Sequence, residues 1–339
     1  HRLSIVFYAN GMPFNGDTLE KQSLGGSETA GLYMARELAR RGHDVTMFCH
    51  CDKPGKYDGV NYMSIEAFQG YMIYTPIDVL IAQRVPQVFQ LQYKSKLNIL
   101  WQHDLSIKRQ RPFFRGSLWN IDEVWGLSKF HVEQMKEVNH APERLFWQTR
   151  NGIDKIELDV DIKRHPKRLI YTSRPERGMD TLLFDIMPKI WERDADVELC
   201  LAGYDNTVSE MKGFYDALFA KVAEYQEAGY KVHWLGALTK NQLYKEYQKA
   251  TAYVYPTSFE EISCITAMEC MGNGIPFIGT ALAALPETLS KESSILLQGD
   301  ARTMQYQDAF VNAVFGVLDS PGKQVAMSKA GLEAANKLL

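Results

Sequence analysis

The sequence predicts an α/β protein built as two doubly wound, Rossmann-like domains in tandem, facing across a cleft. Three observations predict it. Short apolar runs alternate with helical stretches along most of the chain, the rhythm of βαβ units with buried parallel strands. At 339 residues the chain is longer than one hydrophobic core usually supports. The charge balance also changes part-way: residues 1–155 carry 19 basic and 16 acidic side chains, residues 156–339 carry 19 and 25. A mildly basic half followed by an acidic one fits two domains with different partners.

The elements follow in order. Leu3–Tyr8 is a short apolar run read as a buried strand, followed by a polar, glycine-containing stretch from Asn10 to Leu24. Ser27–Arg41 reads as a helix, with Leu32, Ala35, Leu38 and Ala39 on one face and Gly42 as its stop. Asp44–Cys49 completes a first βαβ unit. Residues 78–82, 97–101 and 123–127 read as further strands, and 129–138 as a helix. Asn151-Gly152 is a turn dipeptide opening a charged stretch through Lys167. The first domain is therefore placed at 1–150, a hinge at 151–167, and the second domain at 168–339. There, strands are expected at 168–172, 197–202, 232–236, 252–255 and 276–279, with helices at 181–192 and 209–228. Two such domains leave a cleft in which α/β ligands sit.

Composition narrows the class. No run of about 18 apolar residues occurs, so no membrane-spanning helix is expected. Five scattered cysteines lack the second close pair that a zinc site needs, and read as reduced core thiols. The cytoplasm is the expected location. No metal, cofactor or nucleic-acid partner is expected.

The chemistry concentrates at residues 256–276, where Glu261 and Glu269 stand eight positions apart. Eight helical steps rise about 12 Å, comparable to the reach from a sugar ring across a diphosphate to a ribose. One carboxylate would then accept hydrogen bonds from sugar hydroxyls while the other holds the ribose diol. The N–H groups of Ile265 and Thr266, at the positive end of a helix starting near Ser263, would face the diphosphate. Ile262, Cys264, Ile265, Ala267, Met268 and Met271 make this segment apolar, so its glutamates need partners. By spacing alone most such pairs are solvated surface charge; the apolar surroundings bring the ligand reading level with it.

Glu261 and Glu269 resemble the E-x7-E motif of the retaining glycosyltransferases of family 4, the group 1 glycosyl transferases with the GT-B fold. Leu24-Gly25-Gly26-Ser27-Glu28 resembles that family's glycine-rich loop, Asn151-Gly152-Ile153-Asp154 its interdomain segment, and Pro276 with Pro286-Glu287 the tail of its donor site. The four pieces occur in the family's order and span nearly the whole chain. The resemblance implies a retaining, metal-independent transfer of a sugar from a UDP- or GDP-linked donor to a glycan or lipid-linked acceptor, in polysaccharide, lipopolysaccharide or glycoconjugate assembly. It implies catalytic roles for Glu261, His103 and Arg177. Donor binding falls to Gly25, Gly26, Arg174, Arg177, Ile262, Ser263, Cys264, Ile265, Thr266 and Glu269.

Each assignment has a plainer alternative. Gly25-Gly26 would let backbone approach a phosphate, or would be a simple turn. Arg174 and Arg177 would neutralise the diphosphate, or belong to an exposed loop. His103 would line the reaction centre, or be a satisfied structural histidine; no protein base is required, since the departing phosphate oxygen takes the acceptor proton in this family. Lys108–Trp119 interleaves four basic residues with aromatics and would rest on anionic lipid at the inner face of a membrane or stack on a glycan, or form an ordinary half-buried helix. Ala283-Ala284 departs from the family's paired glycines and would tighten the donor pocket.

Three other functions compete. Asp159-Val160-Asp161 and Asp194-Ala195-Asp196 have the Asp-x-Asp spacing of metal-dependent transferases. The same fold also performs phosphorolysis or epimerisation. A catalytically silent subunit of a glycan-assembly complex is the third. At the far end, helices are expected over 310–317 and from Gln324 to Leu339. The family's return helix onto the first domain would be missing or short there, leaving the hinge as the covalent tie and the domains free to open and close.

Overall fold

The computed structural model describes residues 1–22, 24–203 and 209–339; Ser23, in the expected polar stretch, lies outside them. The described chain divides into two compact units, His1–Asn151 and Gly152–Leu339.

The first unit runs β1 (Ser4–Ala9), α1 (Gly26–Arg40), β2 (Asp44–Cys49), β3 (Gly55–Tyr57), β4 (Val60–Ser64), α2 (Phe68–Tyr74), β5 (Ile77–Gln83), β6 (Ser95–Trp101), α3 (Arg111–Ser117), β7 (Glu123–Gly126), α4 (Lys129–Asn139) and β8 (Phe146–Gln148). Its eight strands take the order β3-β4-β2-β1-β5-β6-β7-β8. All pairings are parallel except β3 with β4. The chain leaves β1 for β2 on one side and later returns to β5 on the other. The C-terminal ends of β1 and β5 therefore form a topological switch point, where α/β sheets open a crevice.

The second unit runs β9 (Arg168–Tyr171), α5 (Met187–Arg193), β10 (Glu198–Leu201), α6 (Lys212–Glu227), β11 (Val232–Trp234), α7 (Lys240–Lys249), β12 (Ala252–Tyr255), α8 (Ile265–Gly272), β13 (Phe277–Thr280), α9 (Leu285–Thr288), β14 (Ser294–Leu297), α10 (Met304–Leu318) and α11 (Pro321–Ala335). The sheet is wholly parallel, in the order β11-β10-β9-β12-β13-β14. Its switch point lies between β9 and β12. Tyr253 on β12 stacks on Phe277 of β13 at 5.1 Å between ring centres. Its hydroxyl meets Ser173 Oγ at 2.9 Å, so a buried tyrosine keeps its polar end satisfied.

Several expectations shift. Of the stretch 151–167, expected as a hinge, Asn151 belongs to the first unit and residues 152–167 to the second. Ile153 N–H donates to Leu338 O at 3.2 Å, His165 N–H to Lys249 O at 2.7 Å, and Arg164 Nη2 to Gly274 O at 2.7 Å. A side chain on Gly272 of α8 would meet Ile156 Cδ1 at 2.7 Å, so this strap packs onto α8. Two of its three isoleucines, Ile153 and Ile156, face Gly272, but charge dilutes them along the strap, which hides the packing from a composition argument. The helix expected from Ser263 begins at Ile265, leaving Ile262–Cys264 irregular. The helix over 181–192 opens with a turn of π-helix at Thr181–Ile186.

Candidate active site

In the second unit, polar groups gather beyond the C-terminal ends of β9 and β12. Tyr255 ends β12, and Glu261 follows on the loop toward α8. Glu261 is 7% exposed. Its Oε1 accepts hydrogen bonds from Tyr255 Oη–H (2.6 Å) and Arg177 Nη1–H (3.0 Å). Among the described residues nothing bonds to Oε2. Burial, with the Glu261 charge beside it, pushes the Tyr255 hydroxyl well above its ordinary range, so it remains a donor. Arg177 also lies over the Phe259 ring, 4.0 Å from its centre, a cation–π contact that fixes the guanidinium plane.

The turn carrying Arg177 depends on the residue after it. Gly178 has φ +136°, and a Cβ there would sit 2.6 Å from Pro256 O. Only glycine lets this turn press against the end of β12. On the other side, Ala284 N–H donates to Glu261 O at 2.9 Å. Its neighbour Ala283 holds φ +51°, a left-handed conformation that costs a non-glycine residue about 1 kcal/mol. Where the resembled family has glycine, this chain keeps the turn and accepts the strain. Pro286 and Glu287 lie on the short α9, exposed.

Glu269, 3% exposed on α8, repeats the arrangement. Its Oε1 pairs with Lys240 Nζ and accepts Tyr244 Oη–H at 3.2 Å. Again no described residue bonds to Oε2. Each glutamate is thus anchored through one oxygen by a cation and a tyrosine hydroxyl. The other oxygen is left as an acceptor, which suits the O–H groups of a polyol. Between them α8 starts at Ile265 with no side-chain cap on Cys264, so its first N–H groups keep their donors.

Arg174 goes elsewhere. Its Nε donates to Glu176 Oε1 at 2.6 Å, and Tyr215 Oη–H holds Glu176 Oε2 at 2.9 Å. Ser263 and Cys264 are buried, Ile262 and Thr266 half-buried.

The first unit has its own polar cluster at the ends of β1, β5 and β6. Glu28, 4% exposed in the first turn of α1, accepts Met12 N–H at 3.1 Å and Ser27 Oγ–H at 3.0 Å, with Arg84 Nη1 at 3.7 Å. A Cβ on Gly25 would lie 2.3 Å from Glu28 Oε2, whereas one on Gly26 would meet nothing. The paired glycines therefore differ: Gly25 makes room for a buried carboxylate, and Gly26 is the open backbone. His103 Nε2 accepts from Gln83 Nε2 (2.9 Å), which also donates to Ser27 O (2.9 Å). Burial first, then the Arg84 charge, drive the imidazole down to about 3. His103 is neutral with its proton on Nδ1, and the occupied Nε2 offers no base. Asp104 Oδ2 holds Arg84 Nε at 2.6 Å.

The segment 108–119 divides. Arg111 Nε donates to Val138 O (2.6 Å) and Arg115 Nη1 to His140 O (2.7 Å), so two of its four cations cap the C-terminal end of α4. Lys108 and Arg109 stay exposed with Phe113 and Trp119, the last 63% exposed. In both Asp-x-Asp sequences the first carboxylate accepts the N–H of the second aspartate at 3.0 Å, a local turn. Asp194 and Asp196 also pair with Lys167 and Lys231. Among the described residues no group of three or more His, Cys, Asp or Glu is placed to hold a metal ion. All five cysteines are free thiols, and no described helix is long and apolar enough to cross a membrane.

Sequence reasoning missed Tyr255, Lys240, Tyr244 and Gln83 as site residues, and named Glu28 only as the end of the glycine-rich segment. Only Lys240 carried a local signal: it follows Thr239, whose capping box with Gln242 marks the start of α7, and a lysine there opposes the helix dipole.

Residues 166–318, within the second unit, match the family described as glycosyl transferases group 1. No curated protein matches the chain in sequence. Solved structures do match. A sucrose-phosphate synthase from Thermosynechococcus elongatus superposes with a TM-score of 0.79 at 17% identity, covering 99% of this chain and 95% of that one. Anabaena HepE, solved with UDP-glucose, gives 0.75 at 12%, covering 99% and 95%. WaaG, a glycosyltransferase involved in lipopolysaccharide biosynthesis, gives 0.70 at 12%, covering 98% and 95%. The resemblance read from the sequence holds at that level: a group 1 glycosyl transferase match and the GT-B fold.

Proposed function

We propose that this chain of GT-B fold is a retaining glycosyltransferase that moves a sugar from a UDP- or GDP-linked donor to an acceptor hydroxyl, with no metal ion. The observation that carries the reading is the pair of buried glutamates, each pinned at Oε1 and open at Oε2. Glu269 accepts the ribose diol, and Glu261 accepts hydroxyls of the transferred sugar. The first N–H groups of α8, at Ile265 and Thr266, and the Arg177 guanidinium stabilise the diphosphate as its charge develops.

In the transfer step the sugar's anomeric bond to the phosphate oxygen breaks and a bond to the acceptor oxygen forms on the same face. The departing phosphate oxygen takes the acceptor's proton, so His103 serves as an N–H donor. HepE, whose structure holds UDP-glucose, makes a UDP-sugar the first donor to try. A glycan or lipid-linked acceptor, and peripheral contact with anionic lipid through Lys108, Arg109, Phe113 and Trp119, belong to the same proposal.

A thermal-shift panel of UDP, GDP, ADP and their sugars, followed by donor hydrolysis, tests it. Saturation at 100 times Kd adds about 2.7 kcal/mol of stability. One of UDP or GDP should raise the melting temperature, and its sugar should be slowly hydrolysed without acceptor. No hydrolysis by a nucleotide-binding protein would leave the silent-subunit reading. Sugar phosphate appearing only with added phosphate would favour a phosphorylase.

A further inference from the structure

We propose that Lys240 and Tyr244 are positioning residues through which α7 sets Glu269 to recognise the ribose of the donor nucleotide. The inference rests on the reading of Glu269 given above and assigns part of that recognition to a second helix. Lys240 is the first residue of α7, and Tyr244 follows one turn later. Residues four apart lie on one helix face, and here both reach the same oxygen, Glu269 Oε1.

Helix stability does not account for the lysine. A cation in the first turn stands at the positive end of the helix dipole, where an anion would be preferred. Lys240 is therefore placed against its own helix, and Glu269 of α8 is the carboxylate it meets. Glu269 is nearly inaccessible, and a buried carboxylate needs a partner charge or hydrogen-bond donors. Two donors on Oε1 fix the carboxylate plane and direct Oε2 outward. A vicinal diol, which presents two O–H donors, needs an ionised acceptor held in one orientation. Glu261 shows the same construction from different elements, with Arg177 and Tyr255 sharing its Oε1.

The probes are UDP and GDP, each compared with its 2′,3′-dideoxy form by calorimetric titration of the whole chain. The wild-type protein should bind the ribose form of its preferred nucleotide on the order of tenfold more tightly than the dideoxy form. Lys240→Met should reduce that preference to about threefold or less while leaving the dideoxy affinity within about twofold. Lys240→Arg should restore it, and Tyr244→Phe, which keeps the charge and most of the packing, should lose about half of it on a logarithmic scale. An unchanged preference in both Lys240→Met and Tyr244→Phe would overturn the proposal. Equal weakening of both nucleotide forms would also overturn it, since a lysine acting on phosphate affects them alike. Glu269→Gln separates the underlying reading: if that variant keeps the full preference, or if the wild type shows none, Glu269 does not hold the ribose and the reading itself falls.

Discussion

Replacing Arg177 with methionine removes a charge while keeping most of the apolar stem. Arg177 is 30% exposed and its partner Glu261 carboxylate 9%. The lost hydrogen bond to a charged group, 3.0 Å long, contributes about 1.5–3 kcal/mol. The contact with Phe259 adds about 0.5–1 kcal/mol, since that ring is partly exposed. Tyr255 still donates to Glu261, so the carboxylate is not orphaned. A loss of about 2–4 kcal/mol in the second unit is expected. Glu261→Gln alone should cost about 1–2 kcal/mol, and the double variant should cost less than the two together, by about 1–2 kcal/mol, because the pair is in direct contact. Native-state hydrogen exchange read by mass spectrometry on peptides spanning 252–272 measures the local opening energy without assuming that both units unfold together. Strictly additive losses, or a cost below about 0.5 kcal/mol for Arg177→Met, would refute the anchored-carboxylate geometry.

Three further outcomes are expected. Gly178→Ala forces a Cβ into Pro256 O at φ +136° and should cost about 2 kcal/mol or more, with turnover falling because Arg177 moves; thermal melting and a donor-hydrolysis assay read both, and a neutral variant would contradict the close approach. His103 titrates near 3 when folded against about 6.5 unfolded, so the unfolded chain takes up its proton first as pH falls. Stability present above about pH 6.5 is therefore lost progressively toward pH 3, about 2 kcal/mol of it between pH 6.5 and 5; His103→Asn should flatten the urea midpoint against pH over that range, and an unchanged slope would contradict a ring held neutral by its surroundings. Finally, the proposed function predicts that turnover survives excess EDTA, since it gives Arg177 and the α8 amides the role a divalent ion plays elsewhere; abolition by EDTA and rescue by Mn²⁺ would return attention to the two Asp-x-Asp turns.

What was legible in the sequence was local. The apolar runs of β1, β2, β5, β6, β9, β10 and β12 announce buried parallel strands, and the segment around Glu261 and Glu269 is too apolar for an exposed amphipathic helix. The three-residue strands β3 and β8 carry no periodicity long enough to read. The polar α7 was passed over, although it buries little more than Tyr247 and Gln248. The partners of the glutamates come from far along the chain: Arg177 lies 84 residues from Glu261, and Lys240 lies 29 from Glu269. Sequence spacing holds no information on such contacts. Gly25 shows the converse. Its sequence context suggests backbone left open for a phosphate, and the structure adds a second reason for a small residue there, the Glu28 carboxylate packed against it.

The division of labour between the two glutamates is the centre of the functional reading, and nucleotide titration tests it most directly. The nucleotide preferred in the thermal-shift panel would be titrated into the wild-type protein, Glu261→Gln and Glu269→Gln. Glu269→Gln should bind it at least about tenfold more weakly, a loss near 1.4 kcal/mol. Glu261→Gln should bind the bare nucleotide within about threefold of wild type while losing turnover of the nucleotide sugar. Equal losses of nucleotide affinity in the two variants, or none in either, would contradict a donor held by Glu269 at the ribose and Glu261 at the sugar.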